Sequence, residues 1–204
     1  MSQLMHEMGL YSISPASKRE YIKWQKGENR NIVQQQFHTP RPNMVWVSDV
    51  TAYRFHQEYF YICAILDLFS RKVIAYRVAK TGSTQLITLA FRQAYSERRP
   101  EPGLIFHSDR GKQYLSRSFQ MLLKESGVEQ SLSRPGNPHD NAVMESFFSY
   151  LKREELYRHD YPSEAALLRG IDQYIQFYNS KRPHSTLQYR TPDRMEENCL
   201  DTRK

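Results

Sequence analysis

The chain has 204 residues, of which 39% are hydrophobic and 25% charged, a composition typical of one soluble globular domain with at most a short appendage. Its net charge of +7 favours an anionic partner, most commonly nucleic acid, although many soluble proteins are equally basic. Two distant cysteines exclude a disulfide framework and a cysteine-based zinc site, and no apolar run is long enough to span a bilayer. The N-terminus has no signal-peptide pattern, so we expect a soluble protein of the reducing cytosol with no membrane partner.

Residues 1–40 are polar and contain few large apolar side chains, so they cannot bury much core by themselves. They predict a short helical extension followed by a linker. Pro40 and Pro42 then break the chain, because proline fixes its own φ angle and restricts the residue before it. We therefore expect an N-terminal extension over 1–40 and a folded core over 41–204.

Three segments rich in β-formers follow, and their short connections predict an antiparallel meander. They cover residues 44–51, 59–66 and 72–78.

The period then becomes helical, and the remaining pattern alternates between helices and short strands. The segments are a helix over 83–98, a strand over 104–107, a helix around 119–123, a strand over 128–132, helices over 137–158 and 163–179, and a final turn near 191–193. Three meander strands followed by alternating elements predict an α/β fold, with a mixed sheet flanked by helices.

Three acidic residues occupy positions where such a sheet brings side chains together. Asp49 lies inside an apolar strand, where a lone carboxylate is costly to bury unless a cation binds it. Asp109 directly follows the strand over 104–107, and Glu145 lies on the helix that begins near residue 137. Hard cations such as Mg²⁺ take oxygen ligands, and a pair of them can stabilise both oxygens of a phosphoryl displacement.

Each of these residues also has an ordinary explanation. Asp49 fits a strand end or a cap, Asp109 fits a turn, and Glu145 fits a solvated helix surface. Composition alone does not select them from the 22 acidic residues of the chain.

The segments around the three carboxylates form an ordered set. They are RPNMVWVSDVT at 41–51, LDLFSR at 66–71, HSDRG at 107–111, DNAVMESFF at 140–148, and YN at 178–179 followed by RPH at 182–184. Thirty-five residues separate Asp109 from Glu145. In these features the chain resembles insertion-sequence transposases that have a retroviral-integrase-type DDE core.

The resemblance implies a ribonuclease-H-like fold and a catalytic core that cleaves DNA and transfers strands at insertion-sequence ends. Asp49, Asp109 and Glu145 would be its catalytic residues and would hold two Mg²⁺ ions, with Mn²⁺ as a substitute. The partners implied are transposon ends and target DNA, bound by a homo-oligomer in the bacterial cytosol and associated with the nucleoid.

The helix that carries Glu145 predicts further contacts. Asn141, Glu145 and Lys152 share one face, because offsets of four and seven residues nearly complete whole turns. Lys152 matches the basic residue that follows the glutamate in the resembling family, so a DNA-phosphate contact is favoured over a merely solvated lysine. Arg182 and His184 are further candidate DNA contacts.

Two residues are candidate supports for the carboxylates. His107 is either a hydrogen-bond partner near Asp109 or a satisfied core histidine. Asn141 either orients the glutamate or simply lies in the first helical turn.

Two other functions remain open on the sequence alone. The first is a structure-selective nuclease of the same fold, such as a ribonuclease H. The second is a truncated or inactive DNA-binding remnant. The resemblance implies an upstream helix-turn-helix region, and residues 1–40 match only its tail through Met8-Gly9-Leu10, which favours a partial DNA-binding segment.

Overall fold

The computed structural model describes residues 31–134 and 138–201. The chain divides into two compact units, Met1–Arg30 and Asn31–Lys204, and the described residues all belong to the second unit. The expected helical DNA-binding segment therefore lies mostly outside the described residues.

A mixed sheet of five strands forms the centre of this unit, with the order β3-β2-β1-β4-β5. Its strands are β1 (Val45–Phe55), β2 (Glu58–Asp67), β3 (Val73–Ala79), β4 (Ile105–Ser108) and β5 (Glu129–Leu132). The first three strands are antiparallel, β4 runs parallel to β1, and β5 runs parallel to β4. The predicted α/β fold, with a meander followed by alternating elements, is confirmed.

Within residues 31–134 and 138–201, five α-helices accompany the sheet: α1 (Thr84–Arg98), α2 (Arg117–Glu125), α3 (Ala142–Leu151), α4 (Glu164–Ser180) and α5 (Pro192–Asp201). Ser83, Ser116 and Ser163 cap α1, α2 and α4, because each hydroxyl accepts a hydrogen bond from a backbone N–H of the first turn. The turn predicted near residues 191–193 is thus the start of a complete helix.

The predicted long helix over 137–158 is not one continuous α-helix. A 3₁₀ turn (Pro138–Asn141) precedes α3, and a π-helical turn (Lys152–Leu156) follows it. The wider turn is visible in the hydrogen bond from the Tyr157 N–H to the Lys152 carbonyl, 2.9 Å long and spanning five residues. A π turn at such a place is often associated with a functional site. Apolar periodicity does not distinguish it from a regular helix.

Two apolar cores cover the two faces of the sheet because side chains alternate along each strand. Val45 and Val47 of β1 face the core that contains α3 and α4. Trp46, between them, faces the core that contains α1 and α2. This alternation also decides the face of the sheet on which Asp49 of β1 lies.

Residues 31–37, predicted as part of a linker, pack onto the core. Val33 is buried in the same cluster as α3 and α4. The carbonyl of Phe37 accepts a hydrogen bond of 2.7 Å from Arg71 Nη2. The compact unit accordingly begins at Asn31, ten residues before the expected start of the core.

Candidate active site

Asp49 and Asp109 lie next to each other where β4 ends beside the central strand β1. The parallel pairing of β1 with β4 matches Val47 with His107 and Ser48 with Ser108, so Asp49 and Asp109 each follow one residue of the last matched pair. Adjacent strands are about 4.8 Å apart. Alternation from Val47 places both carboxylates on the face of the sheet that α3 covers.

Glu145 reaches this face from α3. The helix packs on the sheet through an apolar stripe that comprises Met144, Phe147, Phe148 and Leu151. Glu145 lies beside that stripe, in the first turn of the helix, and its side chain is exposed. The strands therefore fix two of the predicted carboxylates, and a helix carries the third.

The pKa of Asp49 reflects both its burial and the neighbouring charges. Burial is the main reason that the pKa of Asp49 rises from 3.8 to about 7, and the negative charges of Asp109 and Glu145 contribute to the same rise. A backbone hydrogen bond from Val50 and the positive charge of Lys152 act in the opposite direction. The three carboxylates and the lysine thus share one electrostatic environment.

The carboxylates do not converge as tightly as metal ligands do. Across residues 31–134 and 138–201, no group of three or more His, Cys, Asp or Glu side chains is arranged to hold a metal ion. Asp49 and Asp109 accept short backbone hydrogen bonds, of 2.7 Å from Val50 and 2.9 Å from Gly111.

Gly111 explains part of the HSDRG motif. A methyl group on Gly111 would lie 3.0 Å from Asp109 Oδ1 and 3.2 Å from the side chain of Gln113. A glycine at this position therefore lets the backbone N–H approach the carboxylate of Asp109 and fix its direction.

Tyr114 supports the same part of the sheet from the opposite face, a role that motif matching did not predict. It is fully buried, and its hydroxyl lies 2.8 Å from Ser48 Oγ. Ser48 also donates to the Ala64 carbonyl at 3.0 Å and directly precedes Asp49. The signal available in the sequence was the QY pair that follows HSDRG.

His107 is fully buried and bridges β4 to two other segments. Its Nδ1 lies 2.8 Å from Ser131 Oγ on β5, and its Nε2 lies 3.0 Å from the Asp140 carbonyl in the 3₁₀ turn before α3. Burial lowers the pKa of His107. These contacts agree with the interpretation of His107 as a core histidine with satisfied hydrogen bonds. They also connect the strand before Asp109 to the turn that precedes the helix of Glu145.

Asp140 is an anchor that the sequence did not predict, although it lies inside the DNAVMESFF motif. Its carboxylate accepts hydrogen bonds from Asn31, from Gln35, and from the backbone and guanidinium of Arg134. The hydrogen bonds from Arg134 hold the pKa of Asp140 well below its usual range. This residue fixes the start of the helix that carries Glu145.

Asn141 precedes α3 but does not cap it with its side chain. It is 7% exposed and occupies the N-cap position, but its side chain makes no capping hydrogen bond. Its Oδ1 has no hydrogen-bond partner in the part of the chain that the structure describes. The expected contact with Glu145 is not among its interactions, and its contribution to the site stays a prediction.

Lys152 and Arg182 differ in their availability for DNA. Lys152 is partly exposed and acts on Asp49 through its charge, as expected for a shared face. Arg182 makes two hydrogen bonds of 2.8 Å to the carboxylate of Glu154 and lies 4.0 Å from the centre of the Tyr150 ring. The guanidinium of Arg182 is therefore largely engaged within the protein.

His184 is largely buried in the loop after α4. It is 5% exposed, and its ring meets Tyr178 edge-on, with ring centres 4.5 Å apart. Burial lowers the pKa of His184 to about 4, so the ring is neutral at physiological pH. The ring therefore carries no positive charge for a phosphate, and the expected DNA contact of His184 stays a prediction.

No helix of the described residues is long and apolar enough to cross a membrane.

Two family models, both described as integrase core domain, match residues 39–138 and 126–192. A transposase for insertion sequence element IS904 from Lactococcus lactis subsp. lactis (strain IL1403) is 37% identical over 201 residues, which is 97% of this chain and 79% of the relative. Transposase InsF for insertion sequence IS3A from Escherichia coli (strain K12) is 32% identical over 173 residues, or 84% of this chain and 60% of that one.

Solved structures show the same fold. The HTLV-2 integrase catalytic core domain in complex with magnesium superposes with a TM-score of 0.59 at 21% identity, over 77% of this chain and 98% of that one. A chain of the simian T-cell lymphotropic virus intasome gives a TM-score of 0.67 at 18% identity, over 83% of this chain and 58% of that one.

The chain belongs to the insertion-sequence transposases and contains their integrase core domain, of the DDE type. This membership places it among the polynucleotidyl transferases and favours a transposase over a ribonuclease H.

Proposed function

We propose that this chain carries out metal-dependent cleavage and strand transfer of DNA at the ends of an insertion sequence, with Asp49, Asp109 and Glu145 as its catalytic residues. The observation that carries the proposal is the pairing of β1 with β4, which makes Asp49 and Asp109 neighbours, together with α3, which brings Glu145 to the same face of the sheet. Three carboxylates that repel one another on one face of a sheet make a site that a cation would stabilise.

The residues fit a divalent metal by the chemistry of their donors. Mg²⁺ prefers carboxylate oxygens, accepts few protein ligands and retains several waters, and Mn²⁺ has similar preferences. Asp49 and Asp109 are held by strands, whereas the exposed Glu145 is free to turn toward them. When bound, two ions would lower the pKa of an attacking water and stabilise the entering and leaving oxygens of the phosphodiester.

The remaining residues would hold DNA and keep the carboxylates in place. Lys152, about two turns beyond Glu145 on the same side of the helix, is suited to a phosphate contact. The route needs no covalent protein–DNA intermediate, because a water and then the freed 3′-hydroxyl are the attacking groups. His107 and Asp140 fix α3 relative to β4 and so fix Glu145 relative to Asp109.

We further propose that the protein acts as a homo-oligomer on transposon ends and target DNA in the bacterial cytosol. Two element ends must be joined to one target, which calls for paired active sites.

A strand-transfer assay with supplied element ends and Mg²⁺ tests the proposed function. Asp109→Asn should abolish both cleavage and joining while DNA binding persists, because the amide keeps the shape of the side chain but loses its charge. Asp160→Asn is a matched control, since Asp160 is an exposed aspartate that lies outside the site. Full activity of Asp109→Asn would contradict the proposal, and hydrolysed RNA in a hybrid substrate would instead indicate a ribonuclease H.

A further inference from the structure

A cavity of about 460 Å³ lies beside α3, on the flank of the helix next to Glu145. Its wall combines α3 with the loop after α4 and with Phe37 and His38. The volume lies within the range of sites that bind small organic groups. No aspartate or glutamate lines it, whereas two arginines and three tyrosines do: Arg71, Arg182, Tyr150, Tyr178 and Tyr189. The lining thus favours an anionic ligand with an aromatic part.

Arg71 is the strongest indication of an anion. Its side chain lines the cavity although the residue is only 8% exposed, and Nη2 donates to the Phe37 carbonyl. Nη1 has no hydrogen-bond partner within residues 31–134 and 138–201. Burial lowers the pKa of Arg71, and the charge interactions with Tyr178 and Asp67 act in the opposite direction. A buried guanidinium with a free donor is stabilised by a phosphate or carboxylate, which accepts two parallel hydrogen bonds.

Tyr189 supplies an aromatic surface at the same cavity. It is 77% exposed, yet its backbone has a φ of +62°, a conformation that side chains of this size seldom adopt. The turn is fixed by hydrogen bonds from the Tyr189 N–H to the His184 carbonyl, 2.8 Å, and from the His184 N–H to the Arg190 carbonyl, 3.1 Å. An exposed ring held by a strained turn is suited to stack on a flat ligand.

We propose that this cavity binds one unpaired nucleotide of a DNA strand, with its phosphate on Arg71 and its base on Tyr189. The inference rests on the proposed function. The net charge of +7 and the exposed ring in the same lining as the guanidinium favour a nucleotide over a peptide carboxylate, which would use the guanidinium alone. Occupation of the cavity would hold a single strand next to the carboxylates while its duplex is opened.

The position of the cavity agrees with this role. Ser146 lines it and directly follows Glu145, so the two side chains point about 100° apart around one helix. A helix is about 10 Å across with its side chains. One or a few nucleotides therefore span from a phosphate at the carboxylates to the cavity.

Binding of short oligonucleotides without metal, followed by fluorescence anisotropy, tests the proposal. Tyr189→Asn removes the ring but keeps a residue that tolerates positive φ. Thr186→Asp adds a negative charge to the lining at an exposed position. The matched controls are Tyr157→Asn, at a tyrosine that is 68% exposed, and Thr81→Asp, at an exposed threonine, both outside the lining.

We expect Tyr189→Asn to weaken binding of single-stranded oligothymidylate by about 5- to 100-fold, the usual effect of removing one stacking side chain. The same variant should bind an abasic strand of equal length like wild type, whereas Thr186→Asp should weaken both strands. Blunt duplex, whose bases are already stacked, should be insensitive to Tyr189→Asn. The two control variants should bind every probe like wild type.

Wild-type affinity of both cavity variants for the oligothymidylate would overturn the proposal, as would an equal loss in the control variants. Equal weakening on thymidylate and abasic strands by Tyr189→Asn would overturn the stacking on Tyr189. Binding of a carboxylate-terminated peptide in place of either strand would assign the cavity to a protein partner. These outcomes are independent of the proposed function, because the anisotropy assay contains no metal and measures binding without cleavage or joining.

Discussion

Asp140, in the 3₁₀ turn before α3, and Asp49, on β1, have opposite environments. Asp140 is surrounded by donors, and hydrogen bonds from Arg134 lower its pKa. Asp49 has one short hydrogen bond from Val50, and burial together with two neighbouring carboxylates raises its pKa to about 7. The carboxylate of Asp140 has its hydrogen bonds satisfied by the protein, whereas the negative charge around Asp49 is not balanced by nearby positive charge.

This difference separates an acid that maintains structure from one that is kept for a ligand. A satisfied carboxylate stabilises the folded chain, so its loss should destabilise it. An unsatisfied carboxylate destabilises the chain without its cation, so its loss should affect function and not stability. Measuring both activity and stability in the same variants separates the two cases.

The largest effect is expected from Asp49→Asn. Strand transfer should fall by at least about 10²- to 10³-fold, the scale for removing one charge-stabilising group from an active site. The free energy of unfolding without metal should stay the same or rise, because the variant removes a repelled charge. Parallel strand-transfer and urea-unfolding measurements check this. A marked loss of stability would show that Asp49, like Asp140, maintains the structure.

Asp140→Ala should have the next largest effect, on stability. It removes the hydrogen bonds that Asn31, Gln35 and Arg134 donate to a buried carboxylate, and we expect a loss of about 2 kcal/mol in the free energy of unfolding, since the partly exposed donors can bind water instead. Urea unfolding measures this loss, with Asp160→Asn as the control at an exposed aspartate. Unchanged stability would show that the hydrogen bonds around Asp140 are replaceable by water.

Gly111→Ala should produce a smaller, functional effect. The added methyl group would lie 3.0 Å from Asp109 Oδ1, so the carboxylate has to shift. We expect strand transfer to fall about 10-fold, since small misplacements of a reacting group slow catalysis. The control is Gly103→Ala, where the methyl group would meet nothing within 4 Å but the φ of +98° adds strain. Strand transfer impaired only by Gly103→Ala would refute the role of the close approach.

The smallest effects are expected in the pH dependence of stability without metal. The folded-state pKa of Asp49 is raised, so its contribution is fully present near pH 4 and is lost as the pH rises toward 7. The folded-state pKa of Asp140 is lowered, so its contribution is present above about pH 4 and is lost as the pH falls.

Urea unfolding of wild type against Asp49→Asn and Asp140→Ala, measured at each pH, isolates the two contributions. The comparison with wild type also cancels the titration of His184, whose pKa is lowered to about 4. Mg²⁺ should remove the dependence on Asp49. Parallel pH profiles for the two variants would contradict the distinction between the two carboxylates.

Much of the fold followed from local patterns. Segments rich in β-formers predicted β1, β2 and β3, and the change to helical spacing predicted the helices that follow, because both patterns are local properties of the chain. The π turn at Lys152–Leu156 was not predictable in this way. It coincides with contacts of Glu154 to Tyr174 and Arg182, residues that are 20 and 28 positions away.

The candidate site shows the same difference between features set by local sequence and features set by tertiary contacts. The sequence by itself determined the three candidate carboxylates and the helix face of Lys152, since motif order and helical spacing are properties of the chain. Only the tertiary structure decided that His184 is buried, that Asp140 anchors α3, and that Arg71 keeps a donor free beside a cavity. The reason is physical: burial and hydrogen-bond satisfaction depend on which distant segments pack together, and no local pattern records that.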